Sequence, residues 1–597
     1  MDFYRQENYN EDRVKNTVLF FVVLVSISFC LLFARLFYLQ VVIGEKLKKQ
    51  SEDNRLRDVT LDAYRGKIVD RNGVIIADIK SAYKLMVIIE DTSDLHGELG
   101  FLANLLDIKL ETLKKRIKGK ARYLPILLKR NLSRADVAKI EEHKIDIPGF
   151  YISFETQRNY PNQDSLSHVI GYIGEINTRD LNAGTYPDRL KGDSIGKAGV
   201  ERLYENELFG AKGKKTIEVD SAGRELSIIK LVPPASGTTL SLTIDLDLQK
   251  VAEEAMKGKR GAVVAMNPTN GEVLAFLSYP DYNPNDFSAG ISTKKWRELA
   301  NAKTHPLNNR VIQGVYPPGS IHKIVVGAAG LEERTINPEQ KVFCNGKFRL
   351  GNRTYRCWKK TGHGNVNFHE AIKMSCDVYF YKQGLALGID KIAYYAKLFG
   401  LGSKTGINLP HEERGLVPSI AWKKRARKQN WIAGETISAA IGQGYNLVTP
   451  LQIAVMTSVV ANGGYRVTPK LLLDEPTKKE KIDIKSETFE QIAEGLRQVV
   501  MVSRGTARRA RVKGIQVAGK TGTAQVVGMK EDEDPKDVEE VKYLHRDHAW
   551  FTSYAPFNAP EIVVTVIVEH GGHGGSTAAP IAQKVIQTYM DKKRKEG

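Results

Sequence analysis

The residues best placed to do chemistry stand in Tyr316-Pro-Pro-Gly-Ser-Ile-His-Lys323. Two prolines and a glycine interrupt the incoming chain. The apolar residues Ile321, Ile324, Val325 and Val326 then predict a buried helix. Ser320 would sit in its first turn, with Lys323 one turn later on the same face. Such a pair offers nucleophilic chemistry. A serine hydroxyl attacks poorly at neutral pH unless a base takes its proton, and a desolvated lysine is such a base. The helix N-terminus would add partial positive charge and free N–H groups where an oxyanion forms. Ser-x-x-Lys alone is weak, because helices often place a serine three before a lysine.

Two further clusters follow it. Ser375-Cys376-Asp377 comes after a helical segment, Phe368–Met374, and before Val378-Tyr-Phe-Tyr381. Gly519-Lys520-Thr521-Gly522-Thr523-Ala524 follows the apolar strand Ile515-Gln-Val517. Of the four cysteines, Cys30 lies in an apolar N-terminal run, leaving Cys344, Cys357 and Cys376 with His363 between the last two. Three thiols and an imidazole suit tetrahedral zinc. The alternative is a Cys344–Cys357 disulfide with Cys376 buried and free.

A chain of 597 residues, 42% hydrophobic and 26% charged, has the composition of a large globular protein of several domains. Its net charge of +19 suits an anionic membrane surface or polymer. No zinc-finger, RNP-type or helix-turn-helix signature supports nucleic acid as the partner. Thr17–Ala34 is uncharged and the apolar run continues to Ile43, long enough to span a bilayer. A cleaved signal peptide competes, but the run exceeds a usual h-region and ends in no small-x-small site. The expected organisation is a tail at 1–16, a single anchor at 17–43, an N-terminal module at 44–235 and a catalytic domain at 236–592. Flanking charge alone does not orient the anchor.

Within the N-terminal module a charged helical stalk, Glu45–Arg57, precedes Arg65-Gly and Asp70-Arg-Asn-Gly73, where Asn72-Gly73 signals a hairpin. A subdomain at about 84–150 includes a helix with Leu99, Leu102, Leu105 and Leu106 at helical spacing. Glycine-punctuated turns follow, through Gly196–Arg202 and Glu218–Arg224, to the boundary signal Pro233-Pro234 with Ser236-Gly237. Beyond it, Gly261–Met266 and Glu272–Leu277 read as strands joined across Asn270-Gly271, Ile562–Val568 as a central strand, and Ala579–Met590 as a closing helix. The expected fold is a sheet built from both ends of the domain around a helical centre. The acidic run Glu531–Glu540 reads as a solvated loop.

Serine with lysine, then Ser-x-Asn/Asp, then Lys-Thr-Gly, in that order, resembles the signature of the penicillin-interacting acyl-serine enzymes. The resemblance covers nearly the whole chain. Arg65-Gly with Asp70–Gly73, Gly-Val-Glu-Arg202, Asn309-Arg310, Ile441-Gly-Gln-Gly444 and Thr449-Pro-Leu-Gln452 look like class B penicillin-binding proteins. Ser375-Cys-Asp377, Trp358 with Gly362-His-Gly364, and His570–Ser576 point to the elongation type, the penicillin-binding protein 2 subfamily. The resemblance implies one N-terminal transmembrane helix, an α+β pedestal and an α/β transpeptidase domain related to β-lactamases. It implies a single-pass protein of the inner membrane, mostly periplasmic, that cross-links peptidoglycan stem peptides during elongation and rod-shape maintenance.

By the same resemblance Ser320 attacks the penultimate D-Ala carbonyl, Lys323 accepts its proton, and Ser375 relays a proton toward the leaving amine with Lys520. Asp377, Thr521, Gly522 and Thr523 line the substrate strand, and the N–H groups of Ser320 and Thr523 form the oxyanion hole. No cofactor is implied for catalysis. Related proteins hold zinc beside the middle motif, which favours a structural zinc on Cys344, Cys357, His363 and Cys376. Implied partners are stem peptides, lipid-linked nascent glycan, β-lactams, a RodA-type glycosyltransferase and an MreC-like scaffold at 84–150. Asp377 departs from the family's usual Asn and puts the substrate-amide contact in question. Competing readings are a septal-type transpeptidase, a β-lactamase or carboxypeptidase, and a non-catalytic β-lactam-binding scaffold.

Overall fold

The structure is a computed structural model that describes residues 3–219, 225–288, 290–526 and 541–596. Most of the Glu218–Arg224 turn and the acidic run Glu531–Glu540 lie outside the described residues. The chain divides into two compact units, residues 1–64 with 210–237, and residues 65–209 with 238–597.

In the first unit the helix Phe3–Phe37 continues through a wider turn, Tyr38–Val42, into the helix Gly44–Arg55. Arg13–Val42 is apolar, exposed and 30 residues long. At about 1.5 Å per residue it exceeds the ~30 Å hydrocarbon core. A three-stranded antiparallel sheet follows, with Gly213–Val219 between Leu56–Leu61 and Glu225–Val232.

The second unit opens with the hairpin predicted at Asn72-Gly73. Gly73 takes φ +80°, and Asp70 Oδ1 accepts from Asn72 N and Val74 N, both at 2.8 Å. The returning strand Ile75–Val87 pairs with both Ile126–Leu132 and Phe150–Asn159. Leu99, Leu102, Leu85, Val87, Leu113 and Leu128 bury one another in a core separate from the main one. The helical spacing of Leu99 and Leu102 on Leu95–Leu105 accounts for that face. Below it, Glu201 is fully buried between two arginines. Arg158 Nε reaches its Oε1 at 2.6 Å and Arg65 Nε its Oε2 at 2.7 Å.

The main core surrounds a five-stranded antiparallel sheet. In spatial order its strands are Val273–Tyr279, Gly261–Met266, Ile562–Val568, His548–Ala555 and Ala518–Ala524. Two strands therefore come from the start of this region and three from its end, and the helices between 323 and 501 fill the centre. The apolar runs predict Ile562–Val568 among the latter, whereas the edge strand is Ala518–Ala524 rather than Ile515–Val517. Ile562–Val568 is buried at every residue, the pattern of a strand covered on both faces. Ala518–Ala524 pairs on one side only and leaves its other edge unpaired within the sheet.

Candidate active site

The turn Gly319–His322 runs directly into the helix Lys323–Glu332, which is buried from Lys323 through Gly330. Ser320 lies in that turn, half-buried, and Lys323 opens the helix. The approach is clamped from three sides. Tyr316 and Val448 exchange backbone hydrogen bonds at 2.9 Å, Gly319 N donates to Gly442 O at 3.0 Å, and Trp550 Nε1 donates to Pro317 O at 3.1 Å. Gly319 takes φ +55°, and a Cβ there would stand 2.5 Å from Thr523 O. Only glycine lets the turn close onto the edge strand Ala518–Ala524.

Ser375 joins the helices Phe368–Lys373 and Asp377–Leu387 in a left-handed conformation, φ +55°. Such backbone is costly for a non-glycine residue and persists where the surroundings enforce it. Here its neighbours do so. Lys323 Nζ donates to Asp377 Oδ1 at 2.6 Å, to Ser375 O at 2.9 Å and to Ser375 Oγ at 3.2 Å. These bonds occupy all three ammonium protons, and none goes to Ser320 Oγ. Lys520 Nζ donates to the same Ser375 Oγ at 2.9 Å and to Thr521 O at 3.1 Å. Both lysines are fully buried. Burial, and then the nearby Lys323 charge, push the Lys520 ammonium well below its ordinary pKa. Burial raises Asp377 against the opposing pull of Lys323.

The edge strand supplies the remaining expected residues. Thr521 Oγ1 lies 2.8 Å from Thr506 Oγ1, and Thr523 O accepts from Gln443 Nε2 at 2.9 Å. A Cβ on Gly522 would stand 2.9 Å from Pro318 O, so this glycine underlies the nucleophile turn. Three further residues shape the site. Trp358 donates from its backbone to Asp377 Oδ2 at 2.9 Å and from Nε1 to Ser375 O at 3.1 Å. Gln443 and Thr506 brace the edge strand. Gln443 sits in a Gly-Gln-Gly turn that hints at a tight approach, whereas no pattern in the sequence singles out Thr506.

Cys344, Cys357, His363 and Cys376 converge beside this cluster, all buried, with their ligand atoms within 4.8 Å of one another. His363 Nδ1 lies 3.7 Å from Cys344 Sγ and 3.5 Å from Cys357 Sγ. Zinc held at about 2.3 Å from sulfur and 2.0 Å from nitrogen in a tetrahedron separates its ligand atoms by about 3.5–3.8 Å, so the set fits. The three thiols are free. The hydrogen bond between the Cys357 and Cys376 thiols pulls Cys357 down toward the thiolate and pushes Cys376 up, so the two share a proton. Cys357 precedes Trp358 and Cys376 precedes Asp377, so the cluster holds both ends of the Trp358–Asp377 contact.

Comparison with known proteins agrees over almost the whole length. Residues 261–587 match the model of the penicillin binding protein transpeptidase domain, and residues 60–242 that of the penicillin-binding protein dimerisation domain. The peptidoglycan D,D-transpeptidase MrdA of Haemophilus influenzae is 36% identical over 583 residues, covering 94% of this chain and 89% of the relative. The penicillin-binding protein PBP2 of Helicobacter pylori, solved in complex with MreC, superposes with a TM-score of 0.80 at 32% identity. That match covers 90% of this chain and 99% of the other. A structure on the coordination of polymerization and crosslinking by a peptidoglycan synthase complex matches with a TM-score of 0.72 at 31% identity. It covers 97% of this chain and 98% of the matched one. With two buried lysines meeting on a strained serine beneath an open sheet edge, and relatives matched from the dimerisation domain through the transpeptidase domain, the chain belongs to the class B penicillin-binding proteins.

Proposed function

We propose that this protein is the D,D-transpeptidase of cell elongation, joining peptidoglycan stem peptides through an acyl-serine intermediate. The observation that carries the reading is the meeting of Lys323, one turn after Ser320, with Lys520 on Ser375 Oγ. The two lysines are not equivalent. Lys323 is paired with Asp377, whereas Lys520 makes no ion pair among the described residues and is pushed toward the neutral amine. When the terminal carboxylate of the arriving peptide places negative charge beside Lys520, a proton passes from Lys323 through Ser375 Oγ to Lys520 and leaves Lys323 neutral. Ser320 Oγ then attacks the penultimate D-Ala carbonyl and gives its proton to Lys323. The N–H groups of Ser320 and Thr523 hold the oxyanion. As the C–N bond breaks, Ser375 delivers a proton to the departing D-Ala amine. The donor peptide adds along the open edge of Ala518–Ala524, where Thr521, Gly522 and Thr523 line it and Lys520 attracts its terminal carboxylate. An amine of a second stem peptide attacks the ester carbonyl, and Ser320 Oγ leaves with a proton. β-Lactams acylate the same hydroxyl.

In this reading residues 1–16 are cytoplasmic, 17–43 cross the inner membrane and the rest is periplasmic. Residues 44–235 form a pedestal bearing the 84–150 head, and 236–592 form the catalytic domain. An MreC-like scaffold engages the head and a RodA-type polymerase supplies nascent glycan. One structural neighbour solved with MreC supports the scaffold, and one from work on coordinated polymerization and crosslinking supports a polymerising partner. Cys344, Cys357, His363 and Cys376 hold a structural zinc that fixes the loop bearing Ser375 and Asp377. Metal analysis of protein purified without chelator should find one zinc per chain, and a mapped Cys344–Cys357 disulfide without zinc would refute it.

The test of function is the intact mass of the protein after brief exposure to a penicillin, beside a Ser320→Ala variant. A stable adduct on the wild type alone is expected. An unmodified protein with intact antibiotic would instead mark a scaffold, and destroyed antibiotic without adduct a β-lactamase.

A further inference from the structure

Two stretches free of acidic residues flank the catalytic cleft. Residues 342–360 contain six Lys or Arg and no Asp or Glu, and residues 415–434 contain five and none. The first includes the hairpin Lys347–Leu350 with Arg353–Arg356; the second includes the helix Ile420–Arg427. The fold brings them together. Both pack on the helix Ala433–Ala440: an added Cβ on Gly434 would stand 2.4 Å from Tyr355 Oη, and Lys423 of the basic helix is paired with Glu435.

Both stretches are also tied to the active site. The hairpin leads through Cys357 to Trp358, a residue 59% exposed whose N–H groups hold Ser375 O and Asp377. Trp422 of the basic helix and Trp431 beyond it pack on Tyr445, two residues from the Gln443 that holds Thr523 O. Lys423 is buried and paired with Glu435, and Arg427 lies over the Tyr445 ring. Lys424, Arg425, Lys428, Lys347 and Lys359 make no ion pair among the described residues, and all but the half-buried Lys359 are exposed.

Uncompensated cations on a shelf that continues into a cleft, with a tryptophan at the junction, suit an extended polyanion entering that cleft. On the transpeptidase reading, on which this step rests, the entering polymer is a glycan strand whose stem peptides carry free carboxylates. We propose that this cationic shelf docks the carboxylate-bearing strand and so positions its stem peptides relative to Ser320. An anionic lipid surface shares the charge but has no reason to adjoin the catalytic motifs.

The test is binding of the full protein, in detergent, to solubilised peptidoglycan strands, native or with their carboxylates converted to amides. Wild-type binding should weaken with salt and on amidation, because exposed charge pairs are screened beyond a Debye length of about 8 Å at physiological ionic strength. The variant Lys424→Gln/Arg425→Gln/Lys428→Gln keeps Lys423 and Arg427 and should lose about tenfold in affinity, three exposed pairs being removed. A charge-matched control on the head, Lys109→Gln/Lys115→Gln/Lys118→Gln, should bind as the wild type does. Equal binding by the shelf variant, or wild-type affinity for amidated strands, would overturn the proposal. So would a variant that loses phosphatidylglycerol vesicles but keeps the strands. The penicillin adduct on Ser320 reports separately on the transpeptidase reading, so either idea can fail alone.

Discussion

Asp377 accepts two hydrogen bonds through two oxygens, from the fully buried Lys323 Nζ and from Trp358 N, and is itself buried. The amide usual at this position in the family offers one acceptor oxygen and presents N–H on its other side. Asp377→Asn would leave either the lysine or the tryptophan N–H without a partner, at a cost of about 1–3 kcal/mol for a buried unsatisfied group. We expect Asp377→Asn to fold and to be acylated by penicillin about 100-fold more slowly than the wild type, as an unfastened Lys323 loses its place beside Ser375. Stopped-flow acylation at the wild-type rate would show that the carboxylate is not what holds Lys323. The residue types of this centre were legible in the sequence, because Ser320, Ser375 and Lys520 each stand in a motif of fixed spacing. The partnership was not. That Lys323 spends its three protons on Ser375 and Asp377 follows from the left-handed turn at Ser375, which no local pattern announces.

At the scale of elements, the pedestal is held by charge where its motifs suggested only turns. Arg65 and Glu201 stand in stretches that read as motifs, but Arg158 lies in an ordinary strand, Phe150–Asn159. The long sequence separations among the three hide their meeting. Burial alone would raise the Glu201 pKa; Arg65 and then Arg158 outweigh it and the pKa is lowered. The contribution of Glu201 is therefore complete above the ordinary carboxylate range and is lost as pH falls through its lowered folded value. Arg158→Met should cost about 3–5 kcal/mol near pH 7, because it leaves a buried carboxylate short of a partner. Thermal melts of the two proteins should converge as the buffer is acidified through the lowered folded pKa of Glu201 and the wild type protonates it. A gap that stays constant over that range would assign the loss to packing.

The whole molecule joins distant segments, and its plan was legible where hydrophobic pattern is strong. Gly261–Met266 and Ile562–Val568 announce themselves as buried strands, which is why a sheet built from both ends could be expected. The packing of the hairpin at 347–356 and the helix Ile420–Arg427 on one helix, Ala433–Ala440, could not, since exposed cations carry no periodicity that pairs one segment with another. The head lies between these cases. The spacing of Leu99 and Leu102 predicts its helix, and only the fold shows that they belong to a core apart from the catalytic one. Separate cores open separately, since local stability follows the buried contacts that each possesses. Leu99→Ala removes a fully buried side chain and should cost about 2–5 kcal/mol, borne by the head. Hydrogen exchange should then show lost protection between residues 95 and 142, with the strands Gly261–Met266 and Ile562–Val568 protected as before. Faster exchange in those strands as well would mean that head and catalytic sheet unfold as one body.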